Sequence, residues 1–395
     1  MPLAVYVLGL AIFAQGTSEL MLAGLLPQIS TDLGVSVPDA GLLISAFAAG
    51  MLVGAPALAV LTLRWPRRNA LLLFLAVFVA SHVVAALAPG YGVLLATRVV
   101  GAFVYAGFWA VAATTAISLV PESARGRAMS VVTGGLTVAT IAGLPAGTVI
   151  GQHLGWRAAF WAVAILSALS MAGVLATIPG GRPAAGAVPG LRAELRAMAS
   201  RRLWLAYGTT ALSTGALLAT FGYLGVLLTE TTGIAEAWVP AVLALYGLGS
   251  LVGITIGGRI SDARPFATLY TGVAGVIVWS AALALTAEHT VPVVVASFLL
   301  GAFGFAMNPA LNTRVFTLAG GAPTLAAATN FSSFNVGITA GPWLGGLAIT
   351  AGLGYPAVSW IGAALAVAAL GTVALSAALD RRPAPAHAPV PAHAG

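Results

Sequence analysis

The sequence predicts an all-α membrane protein of twelve transmembrane helices in two six-helix halves. Three observations lead there. Hydrophobic residues make up 59% of the 395 and charged residues only 7%. A water-soluble domain carries about 25% charged residues, so most of this surface must face lipid. Twelve stretches are long and apolar enough to cross a bilayer, at roughly 3–29, 40–62, 69–88, 91–118, 127–151, 156–178, 203–229, 238–257, 267–287, 291–312, 325–350 and 356–379. Related segments also recur at an offset near 200 residues.

The first stretch is a permanent helix rather than a signal peptide. No basic residue precedes it, it exceeds the length of a signal h-region, and it carries Glu19. Sidedness follows from the arginines. With the N-terminus inside, 15 of the 17 fall in inside loops or the C-terminal segment. Arg157 lies outside and Arg98 lies within a helix, while Asp32, Asp39, Glu230, Glu236 and Glu288 fall in outside loops. The formal net charge of +7 is therefore a signal of membrane orientation, not of nucleic-acid binding. Both termini are expected in the cytoplasm and the chain in the cytoplasmic membrane, with the lipid bilayer as a partner.

Four regions follow: an N-terminal bundle over 1–178, a cytoplasmic linker over 179–202, a C-terminal bundle over 203–380 and a disordered tail over 381–395. Within the linker, Leu191, Leu195 and Met198 recur at helical spacing, which predicts a short amphipathic helix on the membrane surface. The tail is rich in Pro and Ala, and its two histidines follow that composition rather than a metal site.

The repeat is parallel. Phe47, Gly50 and Gly54 match Tyr246, Gly249 and Gly253; Gly101-Ala102-Phe103 matches Gly301-Ala302-Phe303; Val138, Ala142-Gly143 and Gly147 match Val336, Ala340-Gly341 and Gly345. Halves so related pack about an axis along the membrane normal, with a substrate site between them near the midplane. This numbering puts Phe298 opposite Arg98.

Absences exclude whole classes. There is no cysteine, and all 17 basic side chains are Arg. Thiolate metal sites, disulfides and cysteine nucleophiles are ruled out, as are a Walker lysine and a Schiff-base lysine. Uphill work must draw on an ion gradient or a partner subunit. No metal or cofactor is expected.

Glu19 is the one acid within a span. A charge at a helix centre costs about 2.5–3.5 kcal/mol on insertion scales, and such residues face a cavity or partner and mark ion paths. A carboxyl in apolar surroundings favours its neutral form, whereas a nearby cation favours the carboxylate. A residue whose partner changes between conformations can therefore carry a proton. Arg98 lies at a similar depth and is the expected partner; outward snorkelling is the other reading. His82, isolated on the third span, reads as structural.

The stripes Gly143, Gly147, Gly151 and Gly249, Gly253, Gly257 fall at i, i+4, i+8 and predict close helix approach. Pro145 adds a bend, making a hinge or ion seal of the fifth span. Tyr105 and Trp109, Asn308 and Asn312, and Asn330 and Asn335 are candidate drug contacts, since such pockets combine apolar walls with few polar groups. Helix packing is an equal reading for each.

The order of these features resembles the major facilitator superfamily. Gly258-Arg-Ile-Ser-Asp262-Ala-Arg264 is similar to its GxxxDxx[R/K] loop signature, and Arg98 occupies the basic position of its fourth-helix motif. Gly143-Leu-Pro145-Ala-Gly147-x-x-x-Gly151 resembles the antiporter motif of its drug:proton antiporters. GWRAAFW at 155–161 and FNVGITAGPWLGG at 334–346 are family-like, and the opening from Phe13 to Leu43 is similar to the actinobacterial chloramphenicol-resistance exporters. The resemblance implies proton-coupled efflux of a small, mainly apolar drug, with Gly258, Asp262 and Arg264 at an inner gate. The chain departs from the pattern at Ala59, Leu63 and Pro66, which stand where the N-half signature wants Gly, Asp and Gly.

A monomer is expected. Efflux of a metabolite such as a sugar or nucleoside is the other transport reading. A membrane-embedded enzyme is disfavoured, because neither GxSxG nor HExxH occurs and no carboxylate pair lies in the spans. A passive channel or receptor fits poorly with the six-plus-six repeat.

Unique cysteines test the topology. Those at Ser123 and Ser200 should resist an impermeant reagent applied to intact cells, and one at Glu236 should react. Labelling at Ser200 from outside would refute the assigned sidedness.

Overall fold

Inside a bilayer no water satisfies backbone N–H and C=O groups, and a helix pairs them within each segment. The computed structural model describes residues 1–62, 65–121, 124–180, 200–261, 263–319 and 323–380. Leu63, Asp262, the 191–198 stretch and the 381–395 tail lie outside these, and the side chain of Ala59 is likewise not described.

The N-terminal half contains α1 (Leu3–Leu20, continued as Leu22–Leu33 past a turn at Met21), α2 (Val37–Leu61) and α3 (Arg67–Ala86). Next come α4 (Tyr91–Ser118), α5 (Arg125–Val138, then a π turn Ala139–Gly143, then Leu144–Leu154) and α6 (Trp156–Thr177). The C-terminal half contains α7 (Arg201–Phe221 and Leu224–Glu230), α8 (Val239–Ser261) and α9 (Pro265–Leu285). It ends with α10 (Thr290–Ala319), α11 (Pro323–Thr350) and α12 (Pro356–Asp380). Among the described residues, eleven segments are long and apolar enough to cross a membrane. The twelfth, α11, has 28 residues and rises about 42 Å at 1.5 Å per residue.

Glycines set the register of packing, because a bare backbone lets a neighbouring helix come close. A Cβ added at Gly143, Gly147 or Gly151 of α5 would press on Thr17, Met21 or Leu25 of α1. Gly337 and Gly341 of α11 abut the carbonyl oxygens of Ala211 and Gly215 of α7 in the same way. Partners lie 126 residues apart in both halves. Gly50 and Gly54 of α2 sit against Val99 and Phe103 of α4, as Gly249 and Gly253 of α8 sit against Phe298 and Ala302 of α10, now 49 residues apart in both. The duplication is therefore a duplication of helix contacts.

The contacts also correct the sequence alignment. α2 and α4 map onto α8 and α10 at an offset of 199, and α1 and α5 map onto α7 and α11 at 198. The Gly-Ala-Phe match between α4 and α10 is thus one residue out of register. The counterpart of Arg98 is Ser297, not Phe298.

The same pseudo-symmetry appears at the ends that carry few arginines. Arg157 of α6 bonds Asp32 of α1 and donates to the Ala88 carbonyl beyond α3 at 3.2 Å. The Trp156 indole donates to Asp32 at 3.0 Å. In the C-terminal half Glu230 and Tyr355 occupy the matching positions and interact electrostatically. Thr232 donates to the matching Ala287 carbonyl at 2.7 Å.

Among the described residues, side chains and glycines join the halves from mid-depth to this arginine-poor end. Ser45 Oγ donates to the Thr339 carbonyl at 2.8 Å, and Gln152 Nε2 to the Glu236 carbonyl at 2.5 Å. Gly41 leaves room for the hydroxyl of Tyr223, which donates to the Pro342 carbonyl at 3.0 Å. Gly225 of α7 abuts the Ala23 carbonyl just past the break in α1, and Gly247 of α8 abuts the π turn of α5 at Thr140. At the arginine-rich end, side chains tie helices within a half. Arg68 donates to the Leu175 carbonyl at 2.8 Å, and Arg314 reaches Ser376 and Asp380 at 2.6 and 2.9 Å.

Gly253→Ala should destabilise the protein by about 1–3 kcal/mol, the cost of overpacking against a backbone oxygen that cannot turn aside. Gly258→Ala should be tolerated, because the nearest atom to its new methyl is Pro309 Cγ at 3.9 Å. Thermal unfolding in detergent measures both. Equal melting temperatures would show that the α8–α10 approach does not depend on the missing Cβ.

Candidate functional site

Two residues on one turn of α1, Ser18 and Glu19, meet the middle of the N-terminal half from different sides. Ser18 is fully buried, and Glu19 is half-buried. Arg98 of α4 is 1% exposed, so it does not snorkel to the membrane surface. Its Nη1 donates to Ser18 Oγ at 2.8 Å, and its guanidinium lies 4.1 Å over the ring of Phe47 on α2. An aromatic face attracts a desolvated cation. Arg98 Nε and Nη2 have no hydrogen-bond partner among the described residues.

The expected partnership of Glu19 and Arg98 is electrostatic rather than a contact pair. The two interact by charge, but they do not form one of the ion pairs within 4.0 Å among the described residues. Glu19 also interacts electrostatically with Tyr105, about two turns along α4 from Arg98, and its carboxyl forms none of the hydrogen bonds among the described residues. Tyr105 is itself buried, with ring neighbours Phe47 and Phe78 at 6.0 and 6.4 Å.

His82 of α3 completes the cluster. It is 3% exposed. Its Nε2 lies 2.6 Å from Ser18 Oγ and its Nδ1 2.8 Å from the Phe78 carbonyl. Gln15, one turn before Glu19, is buried with neither amide atom bonded to protein. Sequence reading passed over Ser18, Phe47 and Gln15 because each is an ordinary residue in a span. Only the tertiary fold brings α2, α3 and α4 onto that turn of α1.

The amides proposed for the C-terminal half divide into two groups. Asn330 is buried, donates to Asn312 Oδ1 at 2.9 Å and accepts from Thr210 Oγ1 at 3.0 Å, joining α7, α10 and α11. Asn335 is buried and donates to its own helix at the Phe331 carbonyl, 2.9 Å away. Asn308 and Asn312 are half-buried, as is Trp109.

The gating residues are placed as follows. Gly143 and Gly147 form the α1–α5 contact. Pro145 follows the π turn Ala139–Gly143 directly, so the missing amide of proline is accommodated by a local change of helix type. Gly258 is loosely packed, with Gly257 instead against the Ala306 carbonyl, and Arg264 is exposed at the start of α9.

Asn330→Ala should lower stability by about 1–3 kcal/mol, since it leaves buried partners unsatisfied. Substrate affinity should change little. A large loss of affinity at unchanged melting temperature would make Asn330 a ligand contact instead.

Comparison with known proteins agrees with this architecture. Residues 8–332 match the Major Facilitator Superfamily. The chain is 47% identical to a chloramphenicol resistance protein of Streptomyces lividans over 344 residues, covering 87% of this chain and 88% of the relative. It is 35% identical to the inner membrane transport protein YdhP of Escherichia coli (strain K12) over 370 residues, covering 94% and 95%. It is also 35% identical to the uncharacterized MFS-type transporter YtbD of Bacillus subtilis (strain 168) over 388 residues, covering 96% of each. The chain is a multi-pass membrane transporter, not an enzyme, and belongs to the Major Facilitator Superfamily.

Proposed function

We propose that this transporter exports a small, mainly apolar drug across the cytoplasmic membrane in exchange for protons, with chloramphenicol the first candidate. The observation that carries the coupling is Glu19, the one acid within the spans, set beside a buried cation that is bonded to a neutral hydroxyl. A carboxyl so placed has two stable arrangements: neutral with Tyr105, or charged with Arg98 turned toward it. The printed name of the Streptomyces relative supports the substrate class.

The arginine-rich end faces the cytoplasm in this reading. The contacts between the halves then close the outer side, which is the arrangement that would take drug from within. Trp109, Asn308 and Asn312 are the proposed drug contacts, since they are half-buried within the spans. Tyr105 acts through Glu19, Asn330 ties the C-terminal helices together, and Asn335 bonds back to its own helix. The π turn with Pro145, seated on the Gly143–Gly147 contact, is the proposed hinge. Gly258, Asp262 and Arg264 are the proposed inner-gate loop. The protein is taken to act as a monomer.

Exchange of one proton for a neutral drug carries net charge inward, so the membrane potential assists export by about 2.3 kcal/mol per 100 mV. Glu19→Gln should lose uphill export in energised cells or proteoliposomes while still permitting downhill drug exchange. Arg98→Ala should impair coupling as well. Wild-type, gradient-dependent export by Glu19→Gln would sink the proposal.

A further inference from the structure

The hydrogen bonds of His82 to Phe78 and Ser18 have a single possible direction; Ser81 Oγ, 3.4 Å from Nδ1, already donates to the same Phe78 carbonyl at 2.8 Å. The Phe78 carbonyl can only accept, so Nδ1 of His82, 2.8 Å away, must carry its hydrogen. In the neutral ring Nε2 is then an acceptor. Ser18 Oγ, 2.6 Å from it, must donate its one hydrogen there. The lone pairs of Ser18 are left for Arg98 Nη1 at 2.8 Å. The chain runs from Arg98 to Ser18 to His82 to the Phe78 carbonyl. A second hydrogen on Nε2 would reverse one link and leave Ser18 facing two donors. The imidazole is further held between Phe78 at 4.1 Å and Phe160 at 5.7 Å.

The C-terminal half packs without any of this. By the contact register, Ser18, Glu19 and Arg98 correspond to Ala216, Leu217 and Ser297, and α9, the counterpart of α3, has no histidine. The glycine contacts are duplicated and the polar chain is not. The six-helix bundle therefore does not require it for assembly. The chain also grips Arg98 by one corner, leaving Nε and Nη2 without a partner among the described residues and able to meet the carboxylate one residue further along α1.

We propose that Ser18 and His82 are positioning residues for proton coupling, holding the Arg98 guanidinium on a neutral acceptor beside Glu19. The cation stays on Ser18 while Glu19 is protonated and swings to the carboxylate when the proton leaves. Hydrogen bonding to His82 keeps the Ser18 hydrogen turned away, so that its lone pairs stay available to the guanidinium. This inference rests on the reading of Glu19 as the proton carrier. The titratable and charged groups facing Arg98 are Glu19 from α1, His82 from α3 and Tyr105 from its own helix. α2 presents Phe47.

The test is the pH profile of gradient-driven drug export in proteoliposomes, with drug binding measured at fixed pH beside it. Without Ser18 Oγ the guanidinium is released to turn toward the Glu19 carboxylate, so protonation becomes harder. Ser18→Ala should move the midpoint about one pH unit toward acid while drug binding is retained. His82 allows a sharper comparison. An Asn side chain places its amide where Nδ1 lies, and a Gln side chain reaches the position of Nε2. His82→Asn, with nothing to accept from Ser18, should shift the profile as Ser18→Ala does, and His82→Gln should restore it. The double variant Ser18→Ala/His82→Asn should shift no further than either alone, because both break one chain.

Wild-type profiles in Ser18→Ala and His82→Asn, with Glu19→Gln still uncoupled, would overturn the inference and leave the proton-carrier reading standing. So would equal impairment by Asn and Gln at His82, which marks a packing role. Wild-type gradient-driven export by Glu19→Gln would remove the reading on which both rest. Ser18→Ala deletes a single oxygen and decides the matter alone if the His82 variants do not insert.

Discussion

Helices in a bilayer gain little by hiding apolar surface from one another, because lipid is as apolar as they are. Close backbone approach has to supply the attraction, and in this molecule it sets nearly everything else. The glycines of α5 on α1, of α11 on α7, of α2 on α4 and of α8 on α10 bring backbones into contact at fixed residue separations. Those separations are the same in both halves. What was duplicated is a set of helix contacts, carried by residues too small to do anything else.

On that symmetric frame the polar groups are asymmetric. The C-terminal half uses its buried amides and hydroxyls to tie helices together, as in the Thr210, Asn330 and Asn312 network. The N-terminal half places a cation and an acid in its centre and satisfies the cation with Ser18 and an aromatic face. A buried charge without a contact counterion is costly, and such a site persists only where something else is gained. The gain proposed here is a cation with two alternative acceptors, adjacent on one helix.

The joint between the halves combines a long contact of α2 with α11, where Ser45 meets Thr339, with interruptions in helix geometry. α1 breaks at Met21, α7 at Gly222 and Tyr223, and α5 passes through a π turn. Each interruption lies against the other half: Gly225 near Ala23, Gly247 near Thr140, and Tyr223 beside Gly41. A regular helix resists bending, whereas a broken one can change direction at a residue or two. These departures from ideal geometry thus lie where the two bundles meet.

The sequence by itself determined the twelve spans, their boundaries to within a few residues, the clustering of arginine at one end, and Glu19 and Arg98 as charges without a place in lipid. These are properties of composition along the chain, and the cost of exposing polar groups to hydrocarbon makes them legible one segment at a time. Tertiary structure alone decided which groups touch. The α4–α10 register slipped by one residue in the sequence comparison because Gly and Ala are too common here for a short match to be specific, whereas a helix contact fixes it. Arg98 was legible as a buried cation but its partner was not, since Ser18 is an unremarkable residue until α4 is laid beside α1. The same holds for Asn330, whose amide could serve a ligand or a neighbouring helix equally well by sequence. His82 read as an isolated structural residue because its partners are 64 and 4 positions away, and only the folded bundle places α1 against α3 at that depth.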